Sequence, residues 1–79
     1  MECNMNTVYR EALSEAEYVL SFLDKEKQNK IPIKLRNLIN REKSKDYTPK
    51  FDLNKTVEEQ EISKEAIALL AYIYQKYIV

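Results

Sequence analysis

The sequence predicts an all-α fold, a small three-helix bundle, on three observations. The chain has no glycine and two prolines, so the left-handed turn positions on which hairpin-rich β folds rely are filled by Asn or Asp or avoided altogether. Apolar residues recur at steps of three and four in separate stretches, the period of a helix with one buried face. The run Leu69-Leu70-Ala71-Tyr72-Ile73-Tyr74 is apolar or aromatic throughout, and a helix carrying it needs more than one neighbour to cover it.

The first helix is expected over residues 6–28. Tyr9, Leu13, Ala16, Leu20 and Leu23 mark its buried stripe, widened by Met5, Val8, Ala12 and Val19. Asn4 or Asn6 is the candidate N-cap. Arg10, Glu17, Ser21 and Asp24 fall on the polar side, with Glu11, Ser14, Glu15 and Lys25. The run from Asp24 to Lys30 has no apolar anchor, so the helix should fray there, with Asn29 near its end.

A second helix is expected over 32–43. Proline holds the preceding Ile31 extended and suits the first helical position, so the helix begins at Pro32. Leu35, Leu38 and Ile39 form its apolar face, Ile31 is a staple just ahead of it, and Ile33 points the opposite way. Residues 44–49 have loop chemistry. Phe51 and Leu53 are read as anchors pinning the following connection to the core. Thr56 with Glu59 fits a capping box, which predicts a short helical turn near 56–61.

The third helix is expected over 64–78, capped by Ser63 and started by Glu65 at the positive end of its dipole. Leu69, Leu70, Ile73, Tyr74, Tyr77, Ile67 and Ile78 cover an arc of about 180° at 100° per residue. That width places this helix at the centre of the bundle. Lys64, Ala68, Ala71 and Gln75 share the other face, together with Tyr72.

At 79 residues the chain reads as one domain, 1–79, with a core too small to enclose a large active site. Cys3 is the single cysteine, which excludes an intrachain disulfide. The first residues lack the basic and apolar segments of a signal peptide. The apolar C-terminal stretch, broken by Gln75 and Lys76, falls short of the roughly 20 residues that span a bilayer. A cytoplasmic protein without membrane insertion is expected. Net charge is zero, but the thirds differ: net −3 over 1–23, +5 over 24–50 and −2 over 51–79.

Several chemistries are excluded. Histidine is absent, which removes the commonest general base and transition-metal ligand. A lone Cys3 has no imidazole to activate it. Without glycine there is no phosphate-cradling loop. Glu58, Glu59, Glu61 and Glu65 fit no calcium loop and read as acidic residues at helix starts. No enzymatic activity, cofactor or metal is expected.

The frame Lys30-Ile31-Pro32-x-Lys34-Leu35, followed by Asp46-Tyr47, Asp52, Gln60, Ser63-x-Glu65-Ala66 and Leu70-Ala71-x-x-Tyr74-x-x-Tyr77, resembles a group of small helical proteins of Gram-positive bacteria. The resemblance implies a compact bacterial cytoplasmic or phage-borne protein. It carries no catalytic residue over to this chain.

Function is therefore expected through contact. Tyr18 on the polar side of the first helix, Phe22 at its margin, Ile33 and Tyr72 are large side chains without evident burial, the type that anchors protein interfaces. The preferred reading is a non-enzymatic protein-binding module, a regulator, adaptor or inhibitor of immunity, antitoxin or anti-defence type; the competing structural explanation, that the 44–62 connection folds over these groups, accounts for one or two of the four. The alternative is a nucleic-acid-binding regulator using the basic segment 25–50, through Lys30, Lys34, Arg36, Arg41 and Lys43. Self-association through the wide last helix is a further option.

Overall fold

The structure, a computed structural model, describes residues 3–79, with side chains from Thr7 onward. Its elements are α1 (Cys3–Leu20), the single turn α2 (Lys25–Gln28), α3 (Ile33–Glu42), a 3-10 turn at Val57–Glu59, and α4 (Lys64–Ile73), extended by a wider π-helical turn at Tyr74–Ile78. The fold is the small all-helical bundle that the apolar periodicity predicts. Leu13, Leu20, Ile31, Ile39, Ile73 and Ile78 form the buried core, with Leu23, Leu35, Leu69, Tyr74 and Tyr77 packed partly buried against it.

The central helix is α1, not the last helix. α1 packs chiefly against α4 and also against α3. Ala12, Leu13, Ser14, Glu15 and Ala16 are buried in succession, which on a 3.6-residue period means burial all round. The arc on α4 is only partly used: Ala66, Ile73 and Ile78 are buried, whereas Ile67, Leu69, Leu70, Tyr74 and Tyr77 remain half-buried. Periodicity places Ser14 and Glu15 on a polar face and cannot foresee that later chain covers it. At the other end of the expected stripe, Val8 and Tyr9 are exposed rather than buried.

The first helix ends at Leu20 rather than near Gln28 because Ser21 and Asp24 divert the backbone. The Ser21 amide is shared between the carbonyls of Glu17 and Tyr18, and Phe22 and Leu23 follow with tighter bonds to residues three back. The Ser21 hydroxyl also donates to the Tyr18 carbonyl, a local competitor of helical bonding. Asp24 is extended (φ −69°, ψ 167°) and caps α2 by accepting the Lys27 amide at 2.9 Å. Gln28 Nε2 closes the turn on the Leu23 carbonyl at 2.6 Å. At the other end the helix already includes Asn4 and Asn6, so neither caps it, and their side chains, like that of Met5, lie outside those described.

The remaining starts follow the sequence. Pro32 precedes α3, with Ile31 buried beneath it. Thr56 and Glu59 form the capping pair, the Thr56 amide donating to Glu59 Oε1 at 3.1 Å. Ser63 caps α4 by accepting the Ala66 amide at 3.1 Å. No described residue has positive φ, so the glycine-free chain avoids left-handed turns instead of filling them with Asn or Asp.

Candidate protein-binding surface

Between α3 and the 3-10 turn the chain crosses the polar side of α1 as a strap, residues 43–51. Its first fixing is an ion pair between Lys43 and Glu17, with Nζ 2.7 and 2.8 Å from the two carboxylate oxygens. Next, Ser14 Oγ accepts the Ser44 amide at 2.8 Å and lies 2.9 Å from the carbonyls of both Ser44 and Arg10, either of which can take its single proton. The strongest fixing is Glu15, 0 % exposed. Its Oε1 accepts the Tyr47 hydroxyl at 2.8 Å and the Lys50 amide at 3.1 Å, and its Oε2 accepts the Phe51 amide at 2.9 Å.

A buried carboxylate is costly unless its lone pairs are filled. Here three donors fill them, and no buried polar side-chain atom among the described residues lacks a partner. Tyr47 is held neutral: burial foremost, then its bond to Glu15 and the charges of Glu15 and Glu11, raise its phenol above the ordinary value of 10.0. The hydroxyl therefore stays a donor at every pH the protein meets under ordinary conditions.

By holding the Phe51 amide, Glu15 sets the ring beside α1. Phe51 lies 5.9 Å from Phe22, which meets Tyr18 edge-to-face at 5.0 Å. Tyr18 (37 % exposed) and Phe22 (48 %) remain at the surface, so the three rings make a fixed aromatic patch open to solvent. Phe51, expected as a core anchor, instead packs half-buried in this patch. Leu53, the other expected anchor, is 71 % exposed, because Asp52 and Gln60 close the following loop above the core. The Asp52 amide donates to Gln60 Oε1 at 2.7 Å, and Gln60 Nε2 reaches the Lys55 carbonyl at 3.3 Å.

The other two interface candidates are exposed and belong to other helices. Ile33 lies in the first turn of α3 at 67 % exposure. Tyr72, on α4, is 52 % exposed, meets Tyr77 edge-to-face at 6.5 Å and lies 5.6 Å from Lys76 Nζ. Of the basic candidates, Lys30, Lys34, Arg36 and Arg41 are exposed, and Arg41 pairs with Glu42 at 3.2 Å. Lys43 is drawn into the strap's ion pair and half-buried, so one of the five basic candidates is used internally.

A cleft of about 170 Å³ opens between α1 and α3 over Leu20, Ile31 and Ile39, rimmed by Gln28, Arg36 and Asn40. It is smaller than the roughly 300 Å³ at which small-molecule pockets begin. Among the described residues no group of three carboxylate or thiol side chains could hold a metal ion, and no helix is long and apolar enough to cross a membrane. Comparison with protein-family models, curated proteins and solved structures finds no match for this chain.

Proposed function

We propose that this chain is a non-enzymatic protein-binding module that acts by occupying a surface of a larger partner, as a regulator, adaptor or inhibitor. The observation that carries this reading is the Tyr18–Phe22–Phe51 patch. Large amphipathic rings contribute much contact area with few torsions to freeze, and they dominate the energetics of protein interfaces. Fixing them before the encounter reduces the ordering cost of binding. Helix α1 carries Tyr18, the turn after it holds Phe22, and Glu15 fixes Phe51 through the strap.

The test is affinity capture from the native host with the intact protein, Tyr18→Ala and Phe22→Ala as baits. A protein retained by the wild type and lost with both variants, while their helicity and melting stay close to wild type, supports the patch as the contact. Retention unchanged by either variant removes it.

Lys30, Lys34 and Arg36, exposed and without an ion-pair partner among the described residues, favour nucleic-acid binding as a second reading. It requires retention on heparin at low salt that falls steeply as salt rises. Free passage at low salt dismisses it.

A further inference from the structure

We infer that the outer face of α4 is an isologous contact with a second copy of this chain, the two α4 helices packing antiparallel. Glu65, Ala68, Tyr72 and Lys76 are all exposed. At 100° per residue Glu65, Ala68 and Tyr72 lie within about 60° of arc, forming one strip along the helix. Lys76 belongs to that strip by direct geometry, its Nζ lying 5.6 Å from the Tyr72 ring. The strip carries an acid at one end, a base at the other, and a small residue beside a large aromatic one between them. Neither Glu65 nor Lys76 is paired with an opposite charge among the described residues.

That order is self-complementary in one direction only. A two-fold axis crossing α4 beside Leu70 and Ala71 brings Glu65 of one copy opposite Lys76 of the other, and Tyr72 opposite the second copy's Ala68. Symmetry repeats both contacts. A parallel pair would set Glu65 against Glu65 and Lys76 against Lys76, so the charges select the antiparallel arrangement. One helix pair buries less than the roughly 1,600 Å² of a standard interface, so the dimer is concentration-dependent. The surface shares no residue with the Tyr18–Phe22–Phe51 patch and does not depend on the proposed partner binding.

Sedimentation equilibrium on the full chain tests the inference. The wild type should dimerise reversibly as concentration rises. Glu65→Lys and Lys76→Glu each set like charges against each other at two symmetry-related places, and each should weaken the dimer about tenfold or more. An equimolar mixture of the two variants should recover association, because every contact between the unlike chains is then attractive; the double exchange within one chain should recover it as well. Tyr72→Ala, a neutral change at an exposed position, should also weaken the dimer and stands in if a charge variant melts early. A wild type that stays monomeric to millimolar concentration, or variants that dimerise as well as the wild type, or a mixture that fails to associate, overturns the inference.

Discussion

The Tyr47 hydroxyl and Glu15 Oε1 meet at 2.8 Å across 32 residues of chain. Through this bond and two backbone amides, one carboxylate on the central helix holds the strap that brings Phe51 to the aromatic patch. Local order at the surface is thereby tied to a single interior charge.

Replacing Glu15 by Ala leaves the Tyr47 hydroxyl and the amides of Lys50 and Phe51 without their acceptor. Losing an acceptor shared by several donors at a buried site costs about 2–4 kcal/mol. At about 4–8 °C per kcal/mol for a domain of this size, the melting temperature should fall by roughly 10–30 °C. Urea unfolding measures the loss; a change below about 1 kcal/mol would show that water replaces the strap's bonds at little cost.

Tyr47→Phe removes one donor and should cost about 1.5–3 kcal/mol at neutral pH. The phenol's value is raised in the folded state, so its contribution is complete below the unfolded value near pH 10 and is lost as pH rises from there toward the folded value. The stability gap between wild type and Tyr47→Phe should therefore hold steady from neutral pH to about pH 9 and narrow as pH rises through about 10 to 11. Taking the difference cancels the titration of the other tyrosines and the lysines. Parallel urea curves at several pH values check it, and a gap that widens with pH contradicts the assigned contact.

Phe22 and Phe51 should show an energetic coupling of about 0.5–1.5 kcal/mol in a double-mutant cycle to Ala, as expected for paired rings. Tyr18→Ala should cost less than Phe22→Ala, since Tyr18 touches one ring of the patch and Phe22 touches two. Denaturant titration of the variants reads both statements.

Ile73 is 0 % exposed in the seam between α4 and the rest of the core. Ile73→Ala should cost about 2–5 kcal/mol, enough to leave so small a domain largely unfolded at moderate temperature. Retained cooperative melting within a few degrees of wild type would mean that the core closes over the gap.

Lys43→Met should cost no more than about 1 kcal/mol, because the Lys43–Glu17 pair is only half-buried and solvent screens it. The difference from wild type should shrink in high salt. Thermal melts at two ionic strengths decide this.

Those elements were legible in the sequence whose signals are local. Pro32 fixes its own φ, and Ser63 and Glu59 bond amides within their own turns, so the starts of α3, α4 and the 3-10 turn follow from spacing alone. Asp24 carried the same kind of signal, hidden within a run of charges. Exposure of Tyr18, Ile33 and Tyr72 followed from helical phase, whereas Phe22 lies in the turn after α1, where phase does not apply. The burial of Glu15 did not: it depends on donors 32 to 36 residues downstream, and no periodic pattern records a crossing of that length. The same crossing makes α1 the central helix and brings Phe51 to the surface patch. Apolar width marked α4 as a helix in need of cover but could not say how much cover this chain would supply.

Residues 53–59 are exposed throughout, and the loop is drawn together at its neck by Gln60. Chain ends held this close tolerate added sequence well. A peptide epitope or a fluorescent reporter spliced between Asn54 and Lys55 would therefore ride outside the bundle, leaving the strap, the aromatic patch and the outer face of α4 accessible for the measurements above.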